Sequence, residues 1–371
     1  YMGKRPFERV YFTGTVRDML HRKMSKSLGN SPDALELIDK FGADGVRVGM
    51  LMCSAAGNDL MFEEQLTEQG RNFSNKIWNA FRLVQGWKED LTQEKVPARA
   101  HAIAMFEARM NEAFQNVEAN MKEYRLSEAL MELYRLFWDD FSAWLLELVK
   151  PRANQKMDSA TFSSIERIFD LLLQQLHPFM PFITEEIWQK LEIDEPTIML
   201  SDFPKEDKAL VSVESEKEFD YLKEVVTAVR NIRGENNVSP SKKIEVIFKT
   251  VNEGEKKILE HNPKILDKLA NVEKYDFTPN VEIPELVGFR LVETTEIYVP
   301  LADLIDKEKE IAKLEKDIEK TQKELDKVLG KLSNEAFLAK APQAVVDKEN
   351  AIKEELETKI AKFRESINLY K

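Results

Sequence analysis

The sequence predicts a mainly α-helical chain. It expects a helical bundle with a short α/β piece before it, then a small α+β region and a C-terminal antiparallel helical hairpin of coiled-coil type. Three observations lead there. From about Val46 to Leu191 apolar residues recur every three or four positions, the spacing that lines one face of a helix. Near Lys243 and after Val287, short runs of β-branched and aromatic residues break the helical pattern and read as strands. From Leu304 onward the apolar repeat lengthens to seven, the period of a coiled-coil seam.

Taken in order, Glu8 to Val16 is rich in β-branched and aromatic residues and reads as a strand broken by Gly14. A basic, polar loop follows. Ser31-Pro32-Asp33 then starts a helix over Ala34–Phe41, which Gly42 ends. Phe73, Ile77, Phe81 and Val84 mark the next helix. Ile103, Phe106, Met110, Phe114 and Val117 mark another. Leu126, Leu130, Leu133, Phe137, Phe141, Leu145 and Val149 mark a third, stopped by Pro151. Ile165, Phe169, Leu172 and Leu176 mark a fourth, which Pro178 and Pro181 kink or restart. Four such stripes make an up-and-down bundle.

A polar linker at 201–207 leads to a helix over Phe219 to Ile232. Strands are expected at 243–248, 287–291 and 297–301, with a helix near Glu255 to Leu259. In the last segment Leu304, Ile311, Ile318, Leu325 and Leu332 stand seven apart, with Leu314 and Val328 in the second seam position. Leu356, Phe363 and Tyr370 repeat the period, beside Ile360 and Ile367. The break from Ser333 to Pro342 is long enough for the chain to reverse, so a hairpin is the economical solution; an intermolecular coiled coil is the alternative. The expected divisions are 1–45, 46–205, 206–300 and 301–371.

Composition narrows the class. Hydrophobic residues make up 43% of the 371, enough for sizeable cores. No window approaches the roughly 18 apolar residues of a membrane span, and no apolar signal core opens the chain. With Cys53 as the sole cysteine, an intramolecular disulfide and a cysteine-rich metal site are excluded. A cytoplasmic monomer is expected. Tyr1 in place of a start methionine suggests a piece cut from something longer. The net charge of −12 is uneven. Residues 1–30 hold seven bases (Lys4, Arg5, Arg9, Arg17, Arg22, Lys23, Lys26) against Glu8 and Asp18, near +5, and the remainder is near −17. Local fields rather than the total decide where a polyanion docks.

The sharpest motif is Lys23-Met24-Ser25-Lys26-Ser27, continuing Leu28-Gly29-Asn30. Two lysines three apart, in a small-residue loop between a strand and a helix, can both reach a triphosphate. Expelling pyrophosphate builds negative charge on the leaving oxygens, and cations that meet it lower the barrier. Ser25 and Ser27 can add hydroxyl donors, and Gly29 permits a tight turn. A bland surface loop is the competing reading.

This motif resembles the signature loop of class I aminoacyl-tRNA synthetases, which activate an amino acid with ATP and pass it to tRNA. Residues 11–18 resemble the strand before that loop in the family's branched-aliphatic subgroup, the helix Gly70-Arg71-Asn72-Phe73-Ser74-Asn75-Lys76-Ile77-Trp78-Asn79-Ala80 is similar to its valyl version, and Leu176-His177-Pro178-Phe179-Met180-Pro181-Phe182 resembles the bundle corner common to the subgroup. The tail Leu332-Ser333-Asn334-Glu335-Ala336-Phe337, with Ala341-Pro342-Gln343-Ala344-Val345-Val346, is similar to the turn of the valyl group's helical arm. The resemblance spans the chain in order. It implies Lys26 as the ATP-contacting catalytic residue with Lys23 assisting, and ATP binding at Lys23, Met24, Ser25, Lys26 and Ser27. It also implies an anticodon-binding bundle, an arm on the tRNA elbow, and tRNA(Val), valine and ATP as partners, with magnesium carried by ATP. The His-Ile-Gly-His-type motif, the valine pocket and the editing domain are missing, so valine activation is not expected of this chain alone. A free-standing tRNA-binding protein and a piece of an isoleucyl enzyme are the alternatives.

Arg230, Arg233, Lys242 and Lys243 flank a turn over 234–240 opposed only by Glu235. They can meet tRNA phosphates or form a solvated loop. Trp78, Trp87, Trp138, Trp144 and Trp188 lie mostly on apolar stripes and read as core rather than as base-stacking residues. His177 reads as a structural hydrogen bonder, and no spacing suggests a metal ligand set.

Overall fold

The computed structural model describes residues 3, 5–53, 58–88, 90–152, 155–191, 195–205, 207, 212–277, 282–302, 304, 307–333 and 343–370. It is mostly helical with small sheets, and it divides into two compact units, Tyr1–Lys223 and Glu224–Lys371.

The first unit opens with an extended segment that reaches β1 (Val16–Arg17), which pairs in parallel with β2 (Leu60–Met61), Val16 facing Leu60. The expected strand from Glu8 is thereby cut to its last residue. Among the described residues no strand pairs with 8–14, Thr15 meets only Asp59 and the Leu60 amide at the edge of β2, and Val10 and Phe12 remain exposed. A strand without a neighbour has no ladder to hold it. Helix α1 (Ala34–Phe41) begins where expected: Asp33 accepts hydrogen bonds from the backbone N–H groups of Leu35 and Glu36 at 2.8 and 3.4 Å, satisfying amides that have no partner inside the helix. It ends at Gly42, and α2 (Ala43–Met52) follows directly.

The bundle comprises α3 (Glu64–Trp87), α4 (Pro97–Lys122), a long third helix and α7 (Ser159–Leu176), with α8 (Pro181–Trp188) restarting at its proline. The third helix runs through α5 (Leu126–Arg135), a π-helical stretch Leu136–Leu145 and α6 (Leu146–Val149). Its sequence explains the π stretch. From Leu133 to Val149 the apolar residues step by four. In an α-helix each such step overshoots a turn by about 40°, so the stripe would rotate off the core. The wider π turn absorbs the drift, and Phe137, Phe141 and Leu145 all stay fully buried. Phe137 and Phe141 meet Phe169 of α7 edge-on at 5.8 and 5.5 Å. Two short strands, β3 (Leu91–Thr92) and β4 (Met157–Asp158), pair beside the helices. Under β4 the buried Arg99–Asp158 pair, 3.0 Å apart, ties α4 to the start of α7.

Helix α9 (Val213–Glu235) carries the chain from the first unit into the second. There β5 (Ile244–Lys249), α10 (Glu253–His261), α11 (Pro263–Ala270), β6 (Val272–Asp276), β7 (Val287–Val292) and β8 (Thr295–Pro300) follow. They form a four-stranded sheet of order β6-β5-β8-β7, with β5 parallel to β6 and antiparallel to β8. Strand β6 and helix α11 add to the sequence expectation. Val272-Glu273-Lys274-Tyr275-Asp276 is too charged to read as a strand alone, and it is held by pairing with the apolar β5. Last come α12 (Lys307–Leu332) and α13 (Gln343–Tyr370), which pack on each other and bury Leu325, Val328, Ile360 and Ile367. These are seam positions of the heptad pattern. Lys331 pairs with Glu349 at 2.7 Å. The expected reversal between them, 334–342, lies outside the described residues.

Candidate functional site

The lysine loop follows β1. The chain turns back so that Met24 N–H donates to the Val16 carbonyl at 2.9 Å and Asp18 N–H to the Arg22 carbonyl at 2.9 Å. His21, at the tip, takes a left-handed conformation with φ 60°, and its carbonyl accepts from Arg17 at 3.1 Å. Lys26–Leu28 forms one turn of 3₁₀ helix, capped by Ser25, whose hydroxyl oxygen accepts from Leu28 N–H at 3.3 Å. Gly29 closes the turn at φ 65°, a value a side chain disfavours. Lys23, Lys26 and Ser27 are exposed, while Met24 and Ser25 are half-buried.

Two residues that sequence reasoning passed over hold this shape. The Asn30 side chain accepts from Ser25 N–H at 2.9 Å and donates to Asp18 at 3.0 Å and to the Lys23 carbonyl at 3.3 Å. Asp18 also accepts from the backbone of Leu20 and Arg22 and pairs with the Arg22 guanidinium at 2.6 Å. Arg22 and Asn30 hold the Asp18 carboxyl well below the usual carboxylate range. Asp18 thus fixes the turn before the lysines and Asn30 the turn after them. Short polar residues flanking a tight turn were the available signal. Both ammonium groups are left facing solvent on a shaped backbone.

The second expected site is rearranged. Arg233 is buried, and its guanidinium donates to the carbonyls of Ala270 at 2.8 Å, Lys242 at 2.6 Å and Ser239. It ties the end of α9 to the end of α11 and to the turn over 234–240. Burial lowers its pKa. Arg233 is therefore withdrawn from the phosphate-facing set: its donors meet backbone carbonyls inside the unit. Arg230 is exposed and donates to the Leu269 carbonyl at 2.8 Å. Lys242 and Lys243 are exposed, and Lys243 pairs with Glu273 at 2.9 Å. Beside them lies an open cleft of about 820 Å³, bordered by Arg230, Asn237, Ser239, Lys268 and Asn271.

Trp87, Trp144 and Trp188 are buried as expected. Trp78 and Trp138 are half-buried; Trp138 stacks on Tyr134 at 5.5 Å, with the Lys76 ammonium 5.3 Å from its ring. His177 shares a hydrogen bond of 2.8 Å with Thr184 and is structural; burial lowers its pKa. Among the described residues no group of three His, Cys, Asp or Glu side chains is placed to hold a metal, and no helix is long and apolar enough to cross a membrane.

The shaped two-lysine loop and the helical bundle that follows it accord with the resemblance to class I tRNA synthetases, and the family matches bear that class out. Residues 1–63 match the family model for tRNA synthetases class I (I, L, M and V), and 104–248 match the anticodon-binding domain of tRNA ligase. Residues 306–369 match the valyl tRNA synthetase tRNA binding arm. The valine–tRNA ligases of Bacteroides fragilis and Porphyromonas gingivalis are each 46% identical to 99% of this chain, which covers 41% of either protein. That of Fusobacterium nucleatum is 39% identical over the whole chain and 43% of its own length. The chain belongs to the valine–tRNA ligase family, and it spans about two-fifths of the length of the curated relatives it matches. The valyl rather than the isoleucyl reading is borne out. Among solved structures, the LeuRS–tRNA–LeuAMS ternary complex of Agrobacterium radiobacter K84 aligns over 56% of this chain and 25% of that one, with TM-score 0.44 and 22% identity.

Proposed function

We propose that this chain is the C-terminal part of a valine–tRNA ligase, which activates valine with ATP and transfers it to tRNA(Val). The observation that carries the proposal is the order of three matched regions in one chain: a lysine-loop segment, an anticodon-binding domain and a valyl-type arm. In this reading 1–45 closes the catalytic domain, 46–205 is the anticodon-binding bundle, 206–300 is a small α+β domain and 301–371 is an arm. The pairing of Lys331 near the end of α12 with Glu349 near the start of α13 supports an antiparallel hairpin for the arm.

Lys26 meets the negative charge that develops as pyrophosphate leaves, and Lys23 assists. Met24, Ser25 and Ser27 complete the ATP contact, and magnesium arrives with ATP. The Asp18–Asn30 scaffold supports this role, because it fixes the backbone from which both lysines reach toward the developing charge. Arg230, Lys242 and Lys243 meet tRNA phosphates. The Lys243–Glu273 pair is exposed and contributes little to stability, so a phosphate can replace Glu273. A monomer in the cytoplasm completes the proposal.

The test is binding of the purified chain to valine tRNA and isoleucine tRNA across a salt series. Tighter binding of valine tRNA that persists near physiological salt supports the proposal. Equal and steeply salt-dependent binding of both would leave phosphate contacts alone and overturn specific recognition by this part. In the same preparation, valine-dependent ATP–pyrophosphate exchange is expected to be absent.

A further inference from the structure

Helix α2 follows the lysine loop and α1 along the chain, and it carries two charged groups directed at one corner, the buried Asp44 and the exposed Arg47. The Asp44 carboxylate, 6% exposed, accepts from the backbone N–H groups of Phe182 at 3.3 Å and Ile183 at 2.6 Å. Those amides open α8 and have no partner within it. A carboxylate there also meets the positive end of the helix dipole. One turn along, Arg47 donates to the carbonyls of Pro178 at 3.0 Å and Phe179 at 3.1 Å, where the chain leaves α7. One acid and one base on α2 therefore grip both sides of the proline corner, at a sequence distance of more than 130 residues.

The other side of α2 is locked by close approach. A Cβ on Gly49 would stand 2.7 Å from Thr67, and a Cβ on Gly70 would collide with the Gly45 carbonyl. Helices α2 and α3 thus meet backbone to backbone. On the loop side the path is short: Asn30 shapes the lysine turn, Asp33 caps α1, and α1 runs into α2 through Gly42 alone. Arg17 of β1 pairs with Asp59, next to β2, which precedes α3. The lysine loop is joined to α3 and, through Asp44 and Arg47, to the α7–α8 corner.

We propose that Asp44 and Arg47 are positioning residues that fix the lysine loop on the bundle, so that RNA held by the bundle restrains the loop. This inference rests on the tRNA-binding reading. It places the joint at contacts that neither the lysine motif nor the family matches assign.

The test uses backbone hydrogen exchange of residues 22–29 in the whole chain. Without RNA, Arg47→Ala and Asp44→Asn are expected to speed exchange in the loop by roughly fivefold or more, while α4 and the middle of α7 keep wild-type protection. A merely local role would loosen only 178–183. If Arg47→Ala does not fold, Arg47→Gln, which keeps one amide donor, is measured in its place. Adding valine tRNA is expected to slow loop exchange in the wild type and not in the variants, with tRNA affinity changed less than about threefold. Wild-type loop exchange in the RNA-free variants overturns the inference. So does tRNA that binds the wild type without altering its loop. Failure of tRNA to bind at all overturns the functional reading instead, while the RNA-free comparison still decides the joint.

Discussion

The decisive perturbation for the second site is Arg233→Met, which keeps the stem of the side chain and removes the guanidinium. Arg233 donates to three carbonyls: Ala270 at the end of α11, and Ser239 and Lys242 around the turn. Hydrogen bonds from a charged donor contribute about 1.5–3 kcal/mol each. Three would give a larger sum, but the adjacent cleft is open, and water can reach some of the abandoned carbonyls. The expected net loss is about 3 kcal/mol. Tryptophan fluorescence will not report it, because all five tryptophans lie at or before Trp188 in the first unit. The assay is urea denaturation followed by hydrogen exchange of β5 and β6. The substitution also removes a charge, so tRNA binding is measured in parallel across salt. Removing a phosphate contact makes the dependence of log Kd on log salt shallower by about 0.7–0.9. The structure predicts a large stability loss with the slope unchanged. A loss under about 0.5 kcal/mol joined to a shallower slope would put the guanidinium on a phosphate and refute the assignment.

Lys26→Ala in an intact ligase carrying this chain is expected to lower valine-dependent pyrophosphate exchange by roughly 100-fold or more, with Lys23→Ala costing less; unchanged exchange would remove the loop from the chemistry. Gly70→Ala is expected to destabilise the first unit by about 1–3 kcal/mol, since its Cβ meets the Gly45 backbone rather than a flexible side chain; thermal unfolding by tryptophan fluorescence checks it. Asp158 gives a pH dependence. Burial opposes its ionisation, but the Thr161 amide and Arg99 outweigh burial and hold the carboxyl below its usual range. Its contribution is therefore fully present above about pH 4 and is lost as pH falls through the depressed folded value. The stability difference between wild type and Asp158→Asn should be flat at neutral pH and shrink in acid; a difference that grows in acid would reverse the sign.

What could be read from the sequence divides along physical lines. Local rules gave local results. Asp33 and Gly42 bound α1 as their cap chemistry requires, Pro181 restarts the helix after Pro178, and the heptads of α12 and α13 bury Leu325, Val328, Ile360 and Ile367. The lysine motif was legible as chemistry, yet its supports were not. Asp18 and Asn30 act as turn residues on either side of it, and a single polar residue carries no period to mark it. The strand from Glu8 failed for the opposite reason: its composition is right, but a strand is completed by neighbours, and these reach β1 alone, from Leu60–Met61 and from Lys23. Arg233 shows the limit most clearly. Beside Arg230, Lys242 and Lys243 it looks like one of four interchangeable cations. What separates it is α11, some 37 residues away, whose last carbonyl it caps. Asp44 and Arg47 are hidden in the same way, because their partners lie more than 130 residues along the chain. A charged residue on a helix reads as surface until another element brings an unpaired backbone group to it. The residues that couple one site to the rest of the protein are those whose backbone partners come from distant parts of the chain.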